Sequence, residues 1–227
     1  TATVNGKDTI KKTTFRGDKD TAEITEANLV IDPDNSPANG KAENVVTATV
    51  TDSEGNRVSN IDVSFTISDG ATITTVTGKT DADGKATAKI TSKKAGSYTV
   101  TATVNGKDTI KKTTFRGDKD TAEINLEWIN KKEPAVADNK EENEVKISVV
   151  DQYDNPIPFA KVHVNAPEIS FQKDIKTDIN GIYNIKLKSD TFGEVKVNAK
   201  IESSSYEKSI KIIYIPNKFD LELNVNM

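Results

Sequence analysis

The sequence predicts an all-β chain of tandem β-sandwiches, each about 100 residues long, strung together as an elongated rod. Three observations predict it: a long letter-for-letter repeat, hydrophobic alternation with a period of two, and turn dipeptides between the alternating runs. Residues 1–24, TATVNGKDTIKKTTFRGDKDTAEI, recur unchanged at 101–124. The displacement of 100 residues equals one two-sheet sandwich, and a fixed period of that size marks an array of like units. A fainter copy follows. Asp52-Ser53-Glu54-Gly55-Asn56 aligns with Asp151-Gln152-Tyr153-Asp154-Asn155, and Thr80-Asp81-Ala82-Asp83-Gly84 with Thr177-Asp178-Ile179-Asn180-Gly181. The expected organisation is therefore the closing strands of a preceding unit at 1–24, a complete unit at 25–124 and a diverged unit at 125–227.

Period two marks strands with one face buried. Val46, Ala48 and Val50 share a face, as do Val63, Phe65 and Ile67, then Ala86, Ala88 and Ile90, then Tyr98, Val100, Ala102 and Val104. The diverged unit repeats the pattern in Val145, Ile147, Val149; in Val162, Val164; in Tyr183, Ile185, Leu187; and in Val195, Val197, Ala199, Ile201. Thr and Lys fill the opposite positions, as expected of a wet face. Asp69-Gly70, Asp83-Gly84, Asn105-Gly106 and Asn180-Gly181 suit the positive backbone angles of tight turns. No segment has a helical period. About seven short strands per 100 residues, closed into two packed sheets, give an immunoglobulin-like sandwich. The junction at 118–128 contains no Gly/Ser-rich or Pro-rich stretch, so a semi-rigid rod is expected rather than loosely linked beads.

Composition narrows the function. Hydrophobic residues make up 34%, too few for one large core and suited to small domains with thin ones. The 31 basic and 35 acidic residues are interspersed, leaving no basic stripe to displace counterions from nucleic acid. No apolar run reaches the roughly 20 residues of a spanning helix, so the segment is not expected to be membrane-embedded. With no cysteine, one histidine and no Gly-rich phosphate loop, nothing points to an enzyme, a cofactor or a resident metal. Because residue 1 falls inside a strand-like run, the chain reads as a piece of a longer protein.

Beyond composition, the middle unit resembles the bacterial immunoglobulin-like group 1 domains of the intimin/invasin family of adhesins. The resemblance rests on Ala38-Asn39-Gly40, Val46-Thr47-Ala48-Thr49-Val50-Thr51-Asp52, Thr80-Asp81-Ala82-Asp83-Gly84-Lys85-Ala86, Ala95-Gly96-Ser97-Tyr98-Thr99-Val100-Thr101-Ala102 and Phe115-Arg116-Gly117-Asp118. The last unit keeps the Asp-x-x-x-Asn and Thr-Asp-x-Asn-Gly turns but reads Tyr214-Ile215-Pro216-Asn217 where the middle unit ends in Gly-Asp. The resemblance implies a monomeric stalk segment at the bacterial cell surface. The anchor would be an outer-membrane barrel elsewhere in the protein, and the partner a host-cell surface protein or glycan. Two alternatives stay open: 125–227 is itself a binding module, or the chain spaces a secreted enzyme.

Candidate site residues follow. Arg16-Gly17-Asp18 and Arg116-Gly117-Asp118 spell a tripeptide that integrins recognise, in which the carboxylate completes a receptor-bound metal's coordination. The family's own Phe-x-Gly-Asp strand ending accounts for the same letters structurally. Asp81-Ala82-Asp83-Gly84 begins like a calcium loop but lacks the later oxygen ligands and reads as a turn. Asp18, Asp20, Glu23 and Glu26 form an acidic run open to a solvated-surface or a calcium reading. His163 should face away from Val162 and Val164. Trp128 is a core or packing residue or, alternatively, a ligand platform. Tyr153, Phe159 and Tyr206 are either partner anchors or ordinary packing residues.

Overall fold

The computed structural model describes residues 1–13, 15–202 and 204–217. They are all-β: three short 3-10 turns are the only helical segments among them. Among the described residues the chain forms two compact units, one of residues 1–13, 15–36, 41–92 and 96–114, the other of 37–40, 93–95, 115–202 and 204–217.

The first unit opens with a small hairpin of β1 (Ala2–Val4) and β2 (Lys7–Thr9). Its turn is Asn5-Gly6, with φ of 50° and 71°. The strands that follow are β3 (Leu29–Ile31), β4 (Ser36–Pro37), β5 (Asn44–Thr49), β6 (Ser64–Ile67), β7 (Ala71–Thr75), β8 (Lys85–Ser92), β9 (Gly96–Val104) and β10 (Lys107–Arg116). They form two four-stranded sheets, β3-β5-β8-β7 and β4-β10-β9-β6. Registers place apolar residues opposite one another: Ile31 faces Val46, Val46 faces Ala88, Ala48 faces Ala86, and Phe65 faces Ala102. Val46, Ala48, Val50, Ala86, Ala88, Ile90, Val100 and Ala102 are fully buried. The alternation thus became a core, each valine or isoleucine side chain contributing about 1.5–3 kcal/mol by leaving water and each alanine less.

The second unit holds β11 (Glu123–Trp128), β12 (Asn143–Val150), β13 (Lys161–Ala166), β14 (Phe171–Lys176), β15 (Ile182–Leu187), β16 (Gly193–Ile201) and β17 (Glu207–Tyr214). Its sheets are β11-β12-β15 and β14-β13-β16-β17. Ile124, Leu126 and Trp128 stand opposite Val149, Ile147 and Val145, and Val145 and Ile147 stand opposite Ile185 and Tyr183. One continuous core results, with Val162, Val164, Val195, Val197, Ala199 and Ile212 from the other sheet. Trp128 is a member of that core, its ring nitrogen donating to Asn143 at 3.0 Å and to Asn130 at 3.1 Å.

A fully buried asparagine opens the corresponding strand of each unit. The amide nitrogen of Asn44 donates to Thr113 Oγ1 at 2.7 Å, to Asp34 Oδ1 at 3.1 Å and to the Thr114 carbonyl at 2.8 Å. That of Asn143 donates to the Ile213 carbonyl at 2.9 Å, while its oxygen accepts from Trp128 and from the Ala135 N–H. Buried polar groups persist where each finds a partner. Replacing Asn143 with Ala strands the Ile213 carbonyl and the Ala135 N–H. The variant should lose about 2 kcal/mol or more of stability, read as an earlier urea midpoint with an unchanged slope in the Trp128 fluorescence transition.

Candidate functional site

The tripeptides lie where the chain leads into each unit, and both are fastened by the same device. In the second unit Asp151 begins a tight turn. Its Oδ1 accepts from the N–H of Tyr153 at 2.8 Å and of Asn155 at 2.9 Å, and its Oδ2 accepts from the Asn155 amide at 2.8 Å. The same Oδ2 accepts the Asp118 N–H at 3.0 Å. The first unit repeats this bond for bond. Asp52 accepts from the N–H groups of Glu54 and Asn56 and from the Asn56 amide, and its Oδ2 holds the Asp18 N–H at 3.0 Å. An acceptor-only carboxylate with several lone pairs thus ties a turn and a passing strand at one point.

The glycine of the tripeptide is what lets the strand pass. A Cβ on Gly117 would sit 2.5 Å from the Pro156 carbonyl oxygen and 2.7 Å from Ile157 Cδ1. One on Gly17 would sit 2.7 Å from the Arg57 carbonyl oxygen. Asp118 is 5% exposed, its carboxylate accepting from the Asp120 N–H at 3.3 Å and from the Asn39 amide at 3.2 Å. Asp18 likewise accepts the Asp20 N–H, at 3.0 Å. Arg16 and Arg116 both point into solvent.

The other sequence candidates have ordinary partners. Asp81 Oδ1 closes its own turn by accepting from the N–H groups of Asp83 and Lys85, both at 2.9 Å. Within the acidic run, Glu23 lies 3.5 Å from Lys107. Among the described residues no three His, Cys, Asp or Glu side chains converge as metal ligands would. His163 is half-buried on β13 with Nδ1 2.7 Å from Asp174 on β14. Tyr153 lies exposed, with Lys93 Nζ 5.4 Å from its ring centroid, and Tyr206 packs against the core. The shared aspartates Asp52 and Asp151, which organise this geometry, were legible only as turn residues. Their identical setting in two repeats was the available signal.

Hydrogen bonding shifts both carboxyls. The N–H of Asp18, with those of Asn56 and Glu54, holds Asp52 below the usual carboxylate range against the opposing effect of burial. For Asp151 burial pushes upward most strongly, yet the N–H of Asp118 and the donors of Asn155 and Tyr153 together bring it below its ordinary value.

Two packed antiparallel sheets, with the tripeptide's glycine and aspartate N–H engaged in local packing, define an immunoglobulin-like module. Residues 26–116 and 125–213 each match the bacterial Ig-like domain (group 1) family, and the chain belongs to that family. It is 30% identical over 222 residues to the inverse autotransporter adhesin YeeJ of Escherichia coli (strain K12). That match takes in 89% of this chain and 9% of YeeJ's length. The fold is that of InvD from Yersinia pseudotuberculosis, at 18% identity and a TM-score of 0.62, covering 88% of this chain and 59% of that one. It is also that of the Escherichia coli adhesin FdeC, at 19% identity and a TM-score of 0.55, covering 88% and 66%. The chain is thus made of adhesin-family Ig-like domains of the intimin/invasin type and is not an enzyme.

Gly117→Ala should destabilise the second unit by about 1–3 kcal/mol through overpacking, measurable as a lowered denaturation midpoint. The depressed carboxyls set a pH dependence. A group whose folded pKa lies below its unfolded value stabilises above the unfolded value, and that contribution fades as pH falls through the folded one. Stability should therefore drop as acid titrates from about pH 4 downward, and Asp151→Asn should flatten the drop in a pH series of urea melts.

Proposed function

We propose that this chain is a stalk segment of a bacterial surface adhesin. It spaces a distal host- or cell-binding region from the outer membrane, to which the protein is anchored through a part outside these residues. The observation that carries the reading is the repeated fastening of Asp18 by Asp52 and of Asp118 by Asp151. The same carboxylate grips the same backbone N–H one repeat apart, which suits a module made to be strung in series. The tripeptides serve that packing: their glycines are needed for close approach and Asp118 is buried. Adhesin relatives built on the same family, of which this length of chain is a small part in the case of YeeJ, support the placement at the cell surface.

In solution the chain should be an elongated monomer by small-angle scattering and sedimentation. Immobilised, it should hold host cells equally well before and after Arg16 and Arg116 are both changed to Ala, since both side chains are exposed and their loss leaves the packing intact. A compact envelope would sink the spacing role. Attachment that disappears in the double variant would make the tripeptide a receptor ligand instead.

A further inference from the structure

One position in the second unit carries a residue that its local geometry disfavours. In the first unit the Thr80 hydroxyl donates to the Val58 carbonyl at 2.7 Å and accepts the Ile61 N–H at 3.1 Å. In the second, the Thr177 hydroxyl donates to the Ile157 carbonyl at 3.1 Å and accepts the Ala160 N–H at 2.8 Å. This frame holds a left-handed residue in each unit: Asn60 at φ 55° and Phe159 at φ 58°. Asparagine tolerates that conformation, because its short side chain bonds locally. Phenylalanine gains nothing comparable, and a bulky residue there costs on the order of 1 kcal/mol or more. Burial does not compensate, since Phe159 is 54% exposed. A residue opposed by its backbone and half in water is a mark of function rather than folding.

The surroundings indicate what it meets. Beside Phe159 lies a half-open cleft of about 250 Å³ floored by Ala122, Ile157, Ala160 and Ile201. That is below the roughly 300–1,000 Å³ of drug-sized pockets and leaves room for a single sugar ring. Lys176 Nζ stands 5.1 Å from the Phe159 centroid. Lys119 and Lys161 rim this cleft, and Lys200 lines the adjoining one along β13 and β14. Glu202 is paired with Lys161 at 3.1 Å and Asp174 with His163. Lys119, Lys176 and Lys200 have no carboxylate partner among the described residues. In a chain of net charge −4 this is a local excess of positive charge.

We propose that Phe159 and these lysines bind a carboxylate-bearing pyranose. The sugar's C–H face would lie on the electron-rich face of the ring, and its carboxylate would meet the lysines. An aromatic beside a shallow cleft fits a ring better than the deep apolar anchoring of a peptide. This assignment is independent of the spacing role and adds to it.

The test is an NMR titration of the whole 227-residue chain with the methyl glycosides of N-acetylneuraminic acid, glucuronic acid and, as the neutral control, galactose, beside a Glu-rich peptide. Saturable shifts of the Phe159 ring are expected with one or both acidic sugars, at least about tenfold weaker with galactoside, as loss of a hot-spot contact implies. The decisive variant is Phe159→Asn, which installs the residue that the first unit uses. It should raise Tm while weakening sugar binding about tenfold or more. Lys119→Gln and Lys176→Gln should each weaken binding without changing Tm. No saturable shift, or binding that survives Phe159→Asn, overturns the proposal, as does a Tm that fails to rise. A stronger response to the peptide assigns the surface to a protein partner and likewise overturns it.

Discussion

Everything in this chain is arranged around one interaction, a carboxylate that accepts four hydrogen bonds at once. Asp52 and Asp151 each close a turn with three donors and take a fourth from the backbone N–H of an aspartate that lies 33 or 34 residues earlier. The fourth bond fixes the path by which the chain leads into the sheets. It also sets how closely the preceding glycine must pass the turn. Burial alone would raise the pKa of such a group. Satisfying its lone pairs with N–H donors reverses that, so the ion is the stable form and the geometry is held by charge-assisted bonds.

The sandwich core was readable from the sequence because period two translates directly into a buried face. The residues named on that basis in β5, β8, β9, β12 and β16 are buried. Where the rule weakened, it did so at strand ends and edges: Ile67 closes β6 half-buried, and Tyr183 sits half-buried on β15.

The polar framework was less legible, for a definite reason. Asn44 and Asn143 look like any polar residue before an alternating run. Their role depends on partners about 70 residues away, Thr113 and Thr114 in one case and Ile213 in the other. The left-handed backbone at Phe159 was equally hidden, since nothing in the letters of Pro156-Ile157-Pro158-Phe159-Ala160 requires it. Only its correspondence with Asn60 carries that information. The tripeptides posed the opposite difficulty. Their letters suggest a receptor ligand, and nothing in those letters signals that the glycine and the aspartate N–H also take part in packing.

The central carboxylate grips a main-chain N–H, and this has a consequence for how such genes change. A backbone donor is supplied by every amino acid except proline, so the grip does not depend on the side chain of the residue it holds, and only the glycine before it is constrained by the close approach to the turn. Mutation can rewrite the gripped side chain without loosening the hold. Recombination can duplicate a stretch that carries the gripped N–H, as the unaltered 24-residue duplicate illustrates, and each copy presents the same donor. Array length is therefore free to vary by heredity while the architecture of every copy stays constant.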